Sequence, residues 1–198
     1  MKKKNVILLA AFVFLISNVK VQAQNFKKIF NGKDLSGWVV PQPNNDNWVV
    51  KGKELIVTSS EDRKGSNLWT EKSYKNFVFE AEYQNISGVV DSGIFLRSDK
   101  DQIQIGISGS LKRDLTGSPY IPGKGYPKEA KLGNSLNDKG WNTLKIQVVG
   151  NTYVVWLNGV AVNSYTSETI PEEGPIGIQL HPGNVMSIKY RNIKLAEL

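Results

Sequence analysis

The sequence predicts an all-β protein, a two-sheet antiparallel sandwich of the jelly-roll kind. Three observations carry that expectation. Apolar and polar residues alternate with period 2 in one segment after another. Beyond residue 24, no stretch of ten or more residues shows the 3.6-residue apolar period of an amphipathic helix. Tight-turn signals separate the alternating segments, Asn158-Gly159 most clearly. Short strands with one apolar face must bury it against a second sheet or close into a barrel, and the barrel is the lesser option here. No internal repeat is evident, which argues against a propeller.

The first 23 residues stand apart from this pattern. Lys2, Lys3 and Lys4 precede an apolar run from Val6 to Ile16, and Val21-Gln22-Ala23 is a small-residue cleavage pattern. These are the three regions of a secretory signal peptide, and the run is too short to span a bilayer. Cleavage after Ala23 is expected, so residues 24–198 form one exported domain, periplasmic or secreted, with no membrane span. The chain has 25 basic and 18 acidic residues; Lys2, Lys3, Lys4 and Lys20 leave with the signal, so 21 against 18 remain, a balance of +3. That modest charge, with no dense basic run, does not point to nucleic acid. A domain of this size buries roughly 70% of its unfolded surface, enough for a core without staples. Cysteine is absent, so no disulfide contributes. With one histidine and no cysteine, a zinc site of the usual kind is not expected. No cofactor is predicted; calcium, held by carboxylates and carbonyls, stays open.

The strands follow in order. Trp48 to Val50 and Leu55 to Val57 flank Lys51-Gly52-Lys53-Glu54, a hairpin pattern. Phe77, Phe79, Ala81 and Tyr83 alternate with Val78, Glu80, Glu82 and Gln84. Asp91-Ser92-Gly93 reads as the turn before a strand that carries Ile94 and Leu96. Ile103, Ile105 and Ile107 alternate with Gln102, Gln104 and Gly106. Between Trp141 and Tyr165, the turns Val149-Gly150-Asn151-Thr152 and Asn158-Gly159 imply a three-stranded meander over 143–149, 152–157 and 160–165. Ile176, Ile178 and Leu180 alternate with Gly177, Gln179 and His181, and a last strand runs from Ser187 to Leu195. Trp48, Trp69 and Trp156 sit in strand patterns and read as core. Residues 108–136 lack periodicity; loops that long are usually functional or disordered, and Tyr120 and Tyr126 within this one suggest a contact.

If the apolar residues face the core, their alternates share an outer face. Placed side by side in one sheet, the segments 77–84, 94–98, 102–107 and 176–181 would display Glu80, Glu82, Arg97, Gln102, Gln104, Gln179 and His181. Glutamines and carboxylates pair with sugar hydroxyls, and arginine offers a rigid fork of donors. A wet strand surface is also polar, so the pattern alone leaves both readings open. His181 is the natural acid or base near neutral pH, or else a solvated surface residue. Glu82 is a second base, or a cross-strand partner of Arg97.

Several segments, taken in order, resemble the 3-keto-disaccharide hydrolase family. They are Phe30-Asn31-Gly32-Lys33 through Gly37-Trp38, Glu82-Tyr83-Gln84, Asp91-Ser92-Gly93-Ile94-Phe95-Leu96-Arg97 and Thr116-Gly117-Ser118-Pro119-Tyr120. Trp141-Asn142-Thr143, Leu157-Asn158-Gly159, Gly174-Pro175-Ile176-Gly177-Ile178-Gln179-Leu180-His181 and Tyr190-Arg191-Asn192-Ile193 complete the set. The resemblance implies a concanavalin-A-like jelly roll that cleaves the glycosidic bonds of sugars already oxidised at C3. Removal of the acidified C2 proton, loss of the aglycone from C1 and hydration of the enone would accomplish this. It further implies His181, Glu82 and Arg97 as catalytic residues, with Ser92, Gln102, Gln104, Tyr120 and Gln179 binding the sugar. The chain departs from the family pattern at Gln102, where an acid is usual, and at Asp91, where asparagine is usual. The first departure favours an alternative, a non-catalytic carbohydrate-binding module of the same fold. A structural protein of a glycan-uptake system, with no sugar affinity, is a third reading.

Overall fold

Alternation becomes two antiparallel sheets in the computed structural model, which describes residues 24–198. The signal peptide expected over 1–23 lies outside the described residues. Strands β1 (Lys27–Lys28), β2 (Trp38–Val39), β3 (Trp48–Lys51), β4 (Glu54–Thr58) and β5 (Ser66–Thr70) lead to the long β6 (Phe77–Gly88). Then come β7 (Asp91–Leu96), β8 (Gln102–Gly106) and the short β9 (Pro119–Tyr120). The meander β10 (Asn142–Val149), β11 (Thr152–Leu157) and β12 (Val160–Thr166) follows, and β13 (Ile176–Leu180) and β14 (Met186–Glu197) close the chain. The first sheet has the order β12-β11-β10-β6-β14-β4-β3, with β1 also on β14; the second runs β2-β5-β13-β7-β8-β9.

The two sheets meet over an apolar core. Phe77, Phe79, Leu144, Ile146, Val155 and Ile188 of the first sheet are fully buried, as are Leu68, Ile94, Ile103, Ile105, Ile176 and Ile178 of the second. Each such side chain contributes about 1.5–3 kcal/mol relative to exposure, which is how a chain without disulfides holds this architecture. The hairpins stand where the turns place them. Val50 pairs with Leu55 and Lys51 with Glu54. Leu157 pairs with Val160 around Asn158 and Gly159, both at positive φ (51° and 84°), as a type I′ turn requires.

Two expectations change. Asp91-Ser92-Gly93 is not a turn but the start of β7, paired on both sides. Trp48 is buried, but Trp69 and Trp156 lie half-buried on outer faces, Trp69 stacked on Phe95 at 5.3 Å and Trp156 under the Lys145 ammonium. Residues 108–136 are pinned along their length. Pro119–Tyr120 adds a strand to β8; Ala130 N donates to Ser118 Oγ, and Lys131 N donates to Val162 O, covering the open edge of β12.

Candidate functional site

The site rests on the outer face of the second sheet. Ile94, Ile103 and Ile178 point inward, so the alternation turns Asp91, Gly93 and Phe95 of β7, Gln102 and Gln104 of β8, and Gln179 of β13 outward. Gly93 lies between Gln104 and Gln179 in the pairing and offers no side chain. The Gln102 amide occupies that flat spot: a Cβ on Gly93 would lie 2.1 Å from Gln102 Nε2. From there Gln102 Nε2 donates to Gln179 Oε1 across β7 at 2.6 Å.

The chain after β8 folds back over this floor. Gln104 Nε2 donates to Asp91 Oδ1 at 2.8 Å, and the Gly109 amide donates to Asp91 Oδ2 at 2.8 Å. Tyr126 donates its hydroxyl to Gln104 Oε1 at 3.0 Å, which fixes the orientation of that amide. Burial, with Asp91 nearby, pushes the Tyr126 phenol above its usual range, so it remains a neutral donor at physiological pH. Tyr120, opposite Gln102 on β9, packs against Tyr126 with ring centres 5.2 Å apart.

His181 follows β13 directly. Its Nδ1 lies 2.7 Å from Pro182 O. A carbonyl oxygen only accepts, so Nδ1–H is the donor there and Nε2 of the neutral ring holds the lone pair. The same Nδ1 is 3.6 Å from Asp91 Oδ2, beyond hydrogen-bond distance but within charge contact. Asp91 is buried, whereas 38% of the His181 side chain is exposed, so the pair spans the site from floor to mouth. These groups, with Ser108 and Ser110, line one cleft of about 370 Å³.

Five of the residues singled out in the sequence therefore meet: Gln102, Gln104, Tyr120, Gln179 and His181. Three do not. Glu82 is on β6 in the other sheet, where its carboxylate accepts from Arg191 Nε at 2.6 Å and Asn192 Nδ2 at 2.8 Å. Alternation makes Glu82 outward-facing, but on the opposite side of the sandwich from His181, because the chain changes sheets between β6 and β7. Arg97 follows β7 directly at φ 62°, and the left-handed residue breaks the alternation. Its guanidinium is buried, donating to Gly150 O at 2.7 Å, to Pro171 O at 2.9 Å and to Lys75 O. Ser92 has the parity of Ile94, so it faces inward; its hydroxyl donates to Gln179 O at 2.6 Å and lies 2.8 Å from Tyr190 Oη. Among the described residues, no three His, Asp or Glu side chains converge in a metal-binding group.

Asp91, Ser108 and Ser110 were not selected as site residues from the sequence, and Tyr126 only as a contact within the long loop. Parity with Phe95 was the available signal for Asp91; residues 108–126 carry no periodicity from which the two serines could be read.

The family model described as "3-keto-alpha-glucoside-1,2-lyase-like domain" matches residues 25–196. No curated protein matches the sequence. Solved structures do resemble the fold. A candidate glycosyl hydrolase of Parabacteroides distasonis ATCC 8503 superposes with TM-score 0.66 at 20% identity, covering 88% of this chain and all of its own. The β-glucanase of Bacillus licheniformis gives 0.62 at 15% identity over 90% of this chain and 100% of its own. The carbohydrate-binding module CBM66 of Bacillus subtilis gives 0.58 at 15% identity, covering 81% and 96%. At these identities the likeness is one of fold.

Proposed function

Because the chain belongs to the 3-keto-alpha-glucoside-1,2-lyase-like family, the 3-keto-disaccharide hydrolases that its sequence resembles, we propose that it is an exported enzyme cleaving 3-keto-glycosides by elimination and hydration. The observation that carries this reading is the convergence of His181 and Asp91, 3.6 Å apart, over three glutamines in one cleft. The cleft holds one carboxylate. Ordinary glycosidases use two, flanking the scissile bond. Elimination next to a ketone needs only a proton carrier and donors for the developing enolate oxygen.

His181 Nε2 takes the C2 proton, and the charge that the ring gains faces the Asp91 carboxylate. The C1–O bond breaks with its electron pair on the aglycone oxygen, which is then protonated. Water adds its oxygen to C1 of the enone and a proton returns to C2, giving the free 3-keto sugar. The second hydrogen of Gln104 Nε2, not used by Asp91, serves the enolate oxygen. Gln102, Gln179 and Tyr120 hold the ring hydroxyls.

The test is aglycone release from a synthetic 3-keto-glucoside by residues 24–198, with and without a chelator. Release that is lost in His181→Ala supports the assignment; unchanged turnover in that variant removes His181 from the chemistry. Loss with the chelator adds a metal. One observation favours a second reading: Gln102 and Gln179 satisfy each other rather than presenting an acid. Saturable sugar binding without turnover would make the protein a carbohydrate-binding module.

A further inference from the structure

We propose that the cleft selects uncharged sugars and rejects acidic ones, and that Asp91 sets this selectivity. The inference rests on the carbohydrate reading of the cleft and goes beyond it to the charge class of the ligand. The sequence has 25 basic residues, yet among the described residues no lysine or arginine lines the cleft. The two arginines nearest in sequence to the cleft residues are engaged elsewhere. Arg97 is held by three backbone carbonyls, and Arg113 is paired with both carboxylate oxygens of Glu129. Among the described residues, the one fixed charge in the cleft is therefore Asp91, 2% exposed and bonded to two neutral donors, Gln104 and the Gly109 amide.

A uronate or sulfated sugar would bring a second negative charge beside this carboxylate, in a site with no cation to receive it. Like charges a few ångströms apart away from bulk water repel strongly. A neutral sugar meets amide, phenol and hydroxyl groups, the His181 ring and the Asp91 carboxylate, all able to pair with its hydroxyls. His181 is charged only when protonated, so the comparison is made at pH 8.

The probes are methyl α-glucopyranoside and methyl α-glucopyranosiduronate, which differ only in a hydroxymethyl against a carboxylate, titrated into residues 24–198 and followed by NMR. The expected result is at least tenfold weaker binding of the uronate. In Asp91→Asn, which keeps an acceptor for Gly109 N, the two affinities should fall within threefold of each other. Equal affinities in the unaltered protein overturn the inference whether or not the variant folds. Undiminished discrimination in folded Asp91→Asn overturns the assignment to Asp91. Binding of neither probe, nor of a 3-keto-glucoside, overturns the carbohydrate reading itself and the inference with it.

Discussion

Replacing Gly93 by alanine tests how the floor of the cleft is built. The new Cβ would lie 2.1 Å from Gln102 Nε2 and 2.7 Å from Gln102 Cδ and Cγ. The amide as a whole must leave, because shifting its tip alone does not relieve the other two contacts. Overpacking of this kind costs typically 1–3 kcal/mol, and the displaced amide forfeits its 2.6 Å bond to Gln179, worth about 1 kcal/mol net. A loss of about 2–3 kcal/mol is expected for Gly93→Ala. In a domain of this size, that is a fall in Tm of about 4–12 °C. With Gln102→Ala already in place, the Cβ meets no amide, and Gly93 has an ordinary strand φ that alanine adopts. There the same change should be neutral, or stabilising by a few tenths of a kcal/mol through the unfolded chain. The assay is a double-mutant cycle from urea denaturation of the four proteins, with a coupling of about 2 kcal/mol expected. If Gly93→Ala costs the same in both backgrounds, Gln102 does not lie over Gly93, and the described floor is wrong.

The remaining predictions concern residues away from the floor. Tyr83, Tyr153 and Tyr190 are buried, and burial pushes all three phenols above their usual range. Their stabilisation is complete below about pH 10 and is lost as pH rises further, at up to about 4 kcal/mol per pH unit for the three together; full tyrosinate absorbance near pH 10 in still-folded protein would contradict this. Burial works against the charge of Glu82, yet hydrogen bonds from Asn192 and Arg191 outweigh it and hold its carboxyl below the usual range. Glu82 thus contributes stability above the ordinary carboxylate pKa that is lost as pH falls through its lowered value. In thermal melts from pH 6 to pH 3, Glu82→Gln should show a shallower acid decline, with sugar affinity unchanged; lost affinity would return Glu82 to the site. Arg97→Met should cost about 3 kcal/mol or more in urea denaturation, because three carbonyls lose a charged donor. Its folded fraction should retain the cleft's activity, and a stable but inactive Arg97→Met would refute a purely structural role.

Alternation makes the strands and hairpins readable in the sequence, because burying one face of each strand leaves little freedom in where Ile103, Ile105, Leu144 or Ile178 must point. What alternation cannot say is which sheet a strand joins. Glu82 and His181 are both outward-facing, yet on opposite sides of the sandwich, since strand order depends on pairings between residues far apart in sequence, such as Tyr83 with Tyr190. Arg97 fell outside the rule for a different reason. One residue at positive φ redirects its side chain, and the sequence around it, Leu96-Arg97-Ser98, carries no glycine or asparagine to signal the turn. Asp91 was legible by parity but hidden by composition, because Asp-Ser-Gly is also how a turn begins. The contribution of Gly109 and Tyr126 depends on how an aperiodic segment packs over the glutamines, and no local pattern encodes it.

Strand order has a consequence for how the protein comes into being. β13 lies between β5 and β7, and β14 lies between β6 and β4. Both sheets therefore receive an interior strand from the final 23 residues of the chain, Ile176 to Leu198. Until those residues arrive, the second sheet is two separated pieces, the first is two with β1 left unpaired, and the cleft lacks Gln179 and His181. Such distant pairings make folding slow and concerted. A chain threaded outward across a membrane from its N-terminus would stay pliable until its tail emerged, and a chain cut short at residue 175 would have neither a closed sandwich nor a complete cleft.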